Sequence, residues 1–395
     1  MSETKSLAAE SFTFTRGGPL HLLLARLGLA GDERQFVVRR ALVAVLISWV
    51  PLFVLTLVQG QAWGHGLKIP FLWDLAVNVR FLIALPILIL AESGIDQGWR
   101  LLVLHFLMSK LVAEADVSKF EALLDQARRL KDRVVPELLL LATAFSPSIF
   151  IVKTELLMSE ISNWHTTGTG AGALSLAGWW FNFISMPLFR FLLLRWIWRL
   201  FLATLLLWRV TRLKLNLVAT HTDMAAGLGF LTMGQKAFRP IVFAGGTVVA
   251  SQIANAIVYQ GATLKSMTFP MIAYAVLAII LLVAPLLVVT PVLLKIKKKA
   301  LLEFGALVTD HNQQFDQKWI QNKQLPHEVI LGSNDPCSLI DLGSSFLVVR
   351  QMAIVPIDKP TLLSLALAAA LPMVPVALLA VPMDELIQFA LKILT

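Results

Sequence analysis

Long apolar runs alternate with polar segments along most of the chain. Six of these runs extend over at least about 18 residues, the length that an α-helix needs to cross ~30 Å of hydrocarbon. They are residues 41–58, 71–91, 178–208, 241–259, 269–294 and 361–381. A seventh run, residues 137–152, is shorter and contains Pro147 between two serines. The pattern predicts an all-α fold, a polytopic transmembrane helical bundle of about seven spans.

The polar segments divide the chain into predicted membrane parts and water-facing parts. We expect small helical insertions on the cytoplasmic side. The predicted parts are a cytoplasmic amphipathic segment (1–40), spans one and two (41–91), a cytoplasmic helical insertion (92–136), spans three to six (137–294) with a cytoplasmic loop (210–239), a cytoplasmic helical segment (295–360), span seven (361–382) and an outer tail (383–395).

Local patterns predict helices in the water-facing parts. Leucines recur at helical spacing over residues 19–29, which is typical of a helix on the membrane surface or in a loop. Ser118 begins a Ser-x-x-Glu capping box. A water-facing helix is predicted over residues 300–323. Another helix is predicted to begin with Asp335 as its N-cap and Pro336 as its first residue.

Lysine and arginine are distributed unevenly between the two predicted sides. The segments before span one, between spans two and three, between four and five, and between six and seven carry most of them. The opposite loops and the tail carry one each, Lys68, Lys153, Lys265 and Lys392. Because cytoplasmic loops keep positive charge, we expect a multi-pass membrane protein with a cytoplasmic N-terminus.

Tryptophans agree with this orientation. Five of them lie near the predicted outer boundary, where amphipathic rings serve as interfacial anchors. They are Trp63, Trp73, Trp164, Trp179 and Trp180.

Composition also indicates a bilayer as the main solvent. Of 395 residues, 57% are hydrophobic and 15% are charged, whereas soluble domains have about 45–50% apolar and about 25% charged residues. The single cysteine, Cys337, excludes an intramolecular disulfide framework and a cysteine-based zinc site. We expect it to be a buried thiol.

The formal net charge of +9 does not require a nucleic acid partner. Lys295 and residues 297–299 directly follow a predicted span, where basic side chains contact anionic lipid headgroups. Aromatic residues are not interleaved with these lysines, as a nucleic-acid patch would require. The predicted partner is therefore the lipid bilayer.

Four stretches resemble those of an uncharacterised family of bacterial multi-spanning membrane proteins. They are residues 80–92, 189–199, 221–231 and 338–349. Members of that family tend to have His-Pro-Asp-Arg-Ala-Gly-Gly-Leu at the positions of residues 221–228. This chain departs from that pattern at Thr222, Met224 and Ala226. The resemblance implies a multi-pass protein of a bacterial inner (plasma) membrane, and it implies no activity.

Charged residues inside the apolar runs are the candidates for a ligand site, because such charges usually face protein or a water-filled cavity. Asp74, Asn78 and Arg80 lie on span two and Arg190 on span four. At ~1.5 Å per residue, Arg80 and Arg190 both fall near mid-membrane, while Asp74 and Arg80 point about 120° apart. These residues predict either a cationic site for an anionic solute or lipid headgroup, or buried ion pairs that only fix the bundle.

Other charged positions have weaker interpretations. Glu92 and Glu137, at the inner ends of spans two and three, are candidate counter-charges for the two arginines. His221 and Asp223 are loop candidates for a site, with a tight turn as the alternative, since one His and one Asp cannot close a metal site. We expect neither a metal nor another cofactor.

The sequence predicts no enzyme, because it contains no nucleophile elbow, Walker A motif or HExxH zinc motif. Its best-supported function is that of a transporter or channel for a small anionic solute, since spans interrupted by proline often line solute paths. The alternative is a membrane scaffold or sensor that binds a partner through its cytoplasmic helices. That partner would be a cytoplasmic protein or a second copy of the chain.

The topology has a direct test. A reporter fused after Thr395 is expected outside, and one inserted between Asn322 and Pro326 is expected in the cytoplasm, because a single span separates them. Alkaline phosphatase and green fluorescent protein fusions distinguish the two sides. Finding both reporters on one side would contradict seven spans.

Overall fold

A computed structural model describes residues 13, 17–29, 31, 34–63, 66–158, 164–166, 174–321 and 334–379, with the backbone alone at 149–158. Helices dominate this part of the chain. Its extended pairings are isolated bridges, Val112 with Leu215 and Thr166 with Leu174. The all-α prediction is confirmed.

The helices follow one another with few long connections. They are α1 (Pro19–Arg26), α2 (Arg34–Ser48), α3 (Val50–Val58), α4 (Leu75–Val79), α5 (Leu85–Met108), α6 (Val117–Lys131), α7 (Val134–Met158), α8 (Leu176–Trp180), α9 (Met186–Val210), α10 (Leu231–Lys236), α11 (Arg239–Gln260), α12 (Leu264–Leu287), α13 (Thr290–Phe315), α14 (Asp335–Gln351), α15 (Lys359–Ala370) and α16 (Val374–Leu379).

Six helical stretches within the described residues are long and apolar enough to cross a membrane. They are Gln35–Val58, Leu75–Met108, Leu176–Val210, Leu231–Gln260, Leu264–Leu287 and Lys359–Leu379. Part of α7, Val134–Ser148, is a shorter apolar helix at the position of the predicted third span. The chain is therefore a polytopic membrane bundle, as the hydrophobic pattern predicts.

Several boundaries differ from the prediction. Span two does not end at residue 91, because its helix continues as α5 to Met108 and buries Trp99 and Phe106. The insertion predicted to lie in water therefore begins as a packed helix. Span six ends at Leu287, and α13 starts at Thr290 rather than at residue 300.

Three local predictions are also corrected. The residue preceding α6 is Asp116, so Ser118 lies inside the first turn and does not cap it. The N-cap of α14 is Asn334, and Asp335 is instead the first helical residue, where it accepts from Lys318 and Trp319. Cys337 is exposed and not a buried thiol.

Two π-helical segments interrupt the long spans. Arg80–Ala84 joins α4 to α5, and Phe181–Ser185 joins α8 to α9. Each is followed two residues later by a proline, Pro86 or Pro187. A proline has no amide to donate and crowds the preceding turn, and a wider turn relieves that crowding. The seventh span is interrupted differently, by a tighter 3₁₀ turn at Leu371–Met373 that contains Pro372.

Packing places the two interrupted spans at the centre of the bundle. α5 packs against α2 and α11, and α9 packs against α6, α7 and α12. The rings of Phe81 and Phe181, one from each π-helical segment, meet edge to face with centroids 6.2 Å apart. Beyond the bundle, α13 and α14 pack against each other as a helical hairpin. The candidate residues on spans two and four consequently face one shared interior.

Candidate functional site

Arg80 is the first residue of its π-helical segment and is buried among apolar side chains. It is 7% exposed, and its Nη1 donates to the sulfur of Met186 at 3.3 Å. Its guanidinium carbon lies 5.9 Å from the ring centroid of Phe189. Among the described residues its Nε has no hydrogen-bond partner. A thioether and a ring are weak partners for a cation that carries five N–H donors.

Arg190 lies close enough for its charge to act on Arg80. Both Met186 and Phe189, the contacts of Arg80, precede Arg190 on α9. The Arg190 Nη1 donates to the hydroxyl of Ser148 on α7 at 3.0 Å. The charges that act on Arg80 are those of Asp74, which is favourable, and Arg190, which is unfavourable. The two arginines are therefore close enough to interact through their charges.

Asp74 precedes α4 and is held by neutral donors. Its Oδ1 accepts from the Val77 amide at 3.2 Å and from the Asn255 side-chain amide at 2.8 Å. Its Oδ2 accepts from the Trp164 indole at 3.1 Å. The expectation that Asp74 and Arg80 point in different directions agrees with these contacts.

Asn78 connects span one to the turn before α4. Its amide group donates to the carbonyls of Phe71, Leu72 and Asp74 at 2.9–3.2 Å. Its oxygen accepts from the Trp49 indole at 2.7 Å. With these contacts, Asn78 holds span one against the turn that precedes α4.

Trp164 and Asn255 donate hydrogen bonds to Asp74, and sequence reasoning did not assign either of them to the candidate site. Trp164 was expected to be an interfacial anchor, but it is fully buried, because its indole binds Asp74 and its ring packs against Phe71 at 5.2 Å. Trp63, Trp73 and Trp179 are exposed, as anchors are. For Asn255 a signal was available, since it is an amide inside the apolar run 241–259.

Glu92 does not neutralise Arg80 or Arg190. Its carboxylate lies between Arg40 on α2 at 2.8 Å and Arg199 on α9 at 3.0 Å. The twelve residues from Arg80 to Glu92 correspond to ~18 Å of helix, which puts them at different depths. Glu92 is a counter-charge, but for a different pair of arginines.

Glu137 also contacts groups other than Arg80 and Arg190. One oxygen accepts from the Leu20 amide at 3.2 Å, and the other lies 3.6 Å from the Nε of Arg195. A cavity of about 20 Å³ beside these groups has room for about one water molecule. Lys131 and Arg199 also line it. These contacts join α1, α7 and α9. We call this region the basic end of the bundle, defined by Arg40, Lys131, Arg195 and Arg199.

The loop at His221 forms successive tight turns. The Asp223 carboxylate accepts from the amides of Ala225, Gly227 and Gly229 at 2.8–3.0 Å. Met224 and Ala226 adopt positive φ, 53° and 55°, to aim those amides inward. In the described part of the chain, no three His, Cys, Asp or Glu side chains could hold a metal ion.

The surroundings of Asp223 lower the pKa of its carboxyl group. Partial burial raises the pKa of Asp223, but the hydrogen bonds from Ala225, Gly229, Gly227 and His221 outweigh it and hold the pKa below its ordinary value. Asp223 therefore stabilises the turn as an anion.

Comparison with known protein families, with curated proteins and with solved structures finds no match to this chain. The functional argument therefore depends on the geometry of Arg80 and its surroundings.

Replacement of Glu92 tests the ion pairs at the basic end. Glu92→Gln is expected to destabilise the folded bundle by about 3–5 kcal/mol, because it leaves two arginines buried without their carboxylate. Denaturant unfolding in detergent micelles, followed by circular dichroism, measures the change.

The matched control is Glu303→Gln, which removes a 3.6 Å ion pair with Lys299 whose side chains are 62% and 74% exposed. It is expected to change stability by less than about 0.5 kcal/mol. Equal effects of the two substitutions would contradict a structural role for Glu92.

Acid titration tests the turn at Asp223. Since its folded pKa lies below the unfolded value near ~3.9, its contribution is complete above about pH 4 and is lost as pH falls through the folded pKa. Asp223→Asn is expected to weaken the acid dependence of the melting temperature below about pH 4. Asp310→Asn on exposed α13 is the control, and an identical pH profile for both variants would count against the prediction.

Proposed function

We propose that this chain is a multi-pass protein of a bacterial inner membrane that moves a small anionic solute past a site formed by Arg80 and Arg190. The N-terminus and the α13–α14 hairpin are assigned to the cytoplasm. The basic end then faces the cytoplasm, in agreement with the lysine and arginine distribution. Trp63, Trp73 and Trp179 are assigned to the outer boundary.

The observation that carries this proposal is the state of Arg80. Its guanidinium is buried and contacts a sulfur and an aromatic ring, while the nearby Asp74 carboxylate is held by Trp164 and Asn255. A buried cation is costly unless it is paired and hydrogen-bonded. An anion placed between Arg80 and Arg190 supplies both the charge and the acceptors.

The neighbouring backbone supports movement at this level. Arg80 begins one π-helical segment, and Met186 directly follows the other. Single π turns are frequent at functional sites, and broken helices line solute paths in many transporters. The two wider turns give spans two and four a common place at which to bend around a solute.

A specific observation favours a second candidate, a membrane scaffold. The α13–α14 hairpin exposes the apolar side chains of Leu302, Leu307, Ile340 and Leu347. Two packed helices bury little surface by themselves, so a third element would stabilise them. Under this alternative the hairpin binds a cytoplasmic protein, and the arginines only hold the bundle together.

The test of the anion site is Arg80→Gln. A wild-type chain in detergent is expected to gain stability with chloride, nitrate or sulfate, by about 2.7 kcal/mol when the anion is at 100 times its dissociation constant. Arg80→Gln is expected to abolish that gain, and also the anion flux into proteoliposomes, because the site loses its main donor.

Arg209→Gln is the matched control, since Arg209 lies at the far end of α9 and bonds to Gln126 at an exposed position. It is expected to leave the anion response unchanged. If Arg80→Gln lowers stability, and neither this variant nor the unaltered chain responds to the anion, the transport proposal is rejected. The membrane scaffold is then the better-supported function.

A further inference from the structure

A cavity of about 330 Å³ lies between α5, α9, α11 and α12, and one of its walls is Phe189, the ring that Arg80 contacts. Its walls are aromatic and aliphatic. Four rings contribute, those of Phe189, Trp196, Phe238 and Tyr274. The volume falls in the range of ligand pockets, roughly 300–1,000 Å³.

The polar groups of these rings are already used by the protein. The Tyr274 hydroxyl donates to the Val242 carbonyl, and the Trp196 indole donates to the Leu88 carbonyl at 3.1 Å. A molecule whose carbonyls or hydroxyls need partners would leave them unsatisfied here. Water is unsuited for the same reason, because a buried water requires polar partners. The lining therefore selects a hydrocarbon.

The cavity opens towards the lipid-facing side of the bundle. Ile197 on α9 and Leu277 and Leu281 on α12 line it and are also exposed, by 45%, 64% and 43%. All four surrounding helices belong to membrane-spanning stretches. A molecule can therefore enter from the bilayer without passing through water.

The length of the cavity along the helix axes matches the hydrocarbon thickness of one leaflet. It extends from Phe189 to Leu200 along α9 and from Phe238 to Val249 along α11. Eleven residues of helix correspond to ~16 Å, about half of the ~30 Å hydrocarbon thickness. One end lies mid-membrane, and the other lies next to Arg239, where α11 begins at the basic end.

We propose that this cavity is a binding site for one acyl chain of a membrane phospholipid from the leaflet at the basic end. The chain fills a space that would otherwise be an apolar void, and the phosphate lies near Arg239. The inference does not depend on anion transport.

An occupied cavity also supports the ion pairs at the basic end. The Trp196 ring forms part of the cavity wall, and the Arg199 guanidinium lies 4.5 Å from its centroid. Arg199 in turn pairs with Glu92. The acyl chain thus holds Trp196 in the position from which it contacts Arg199.

Photolabelling of the unaltered chain in nanodiscs tests the site directly. The probe is phosphatidylglycerol with a diazirine midway along one acyl chain. Cross-links are expected on the α9 and α11 peptides that contain Trp196 and Val248. Cross-links confined to outward-facing positions, such as Ile272 and Ile280, would overturn the proposal. So would exclusive labelling of the cavity by a photoreactive naphthoquinone, which would identify a ring-shaped occupant.

Two alanines of α12 provide a matched pair of variants. Ala278 lines the cavity and Ala273 is exposed on the same helix. Ala278→Trp is expected to abolish the cavity cross-links and the phospholipid retained in native mass spectrometry, whereas Ala273→Trp retains both. Equal retention by the two variants would overturn the proposal. If Ala278→Trp does not fold, labelling of the unaltered chain decides.

Discussion

The buried carboxylate of Glu92 is the interaction on which the arrangement of the bundle depends. It joins Arg40 and Arg199, so a single side chain connects spans one, two and four. Three charges removed from water are tolerated only when they remain together, because each alone would be strongly unfavourable in hydrocarbon. The pairing fixes the rotation of α2, α5 and α9 about their axes, and that rotation determines which residues face the interior higher in the bundle.

Around Asp74 and Arg80, farther along the bundle from Glu92, the polar groups are distributed differently. Asp74 and Asn78 are bound by Trp164, Asn255 and Trp49, so neutral donors satisfy the acceptors there. In the same region, the partners of Arg80 are the sulfur of Met186 and the ring of Phe189, which are weak hydrogen-bond acceptors. One end of the bundle is thus closed by charge pairing, while the middle contains a cation whose partners are weak. This contrast distinguishes a structural cluster from a candidate binding site.

The sequence predicted the class of the fold and the seven apolar segments, because hydrophobic length depends only on local order. It did not predict which charges meet. Glu92 was a counter-charge in sequence and in structure, but its partners lie on helices whose rotation no local pattern specifies. Trp164 was misassigned for the same reason, since a tryptophan near a boundary faces lipid or protein according to its neighbours. Proline at positions 86 and 187 was a local signal for the two wider turns.

Those two wider turns have a geometric consequence. A π turn contains one more residue than the α turns around it, so the side chains that follow it are turned by about 100° relative to an uninterrupted α-helix. In span two the extra residue lies between Asp74 and Glu92. The faces on which these two carboxylates lie are therefore set by that extra residue as well as by the α-helical repeat.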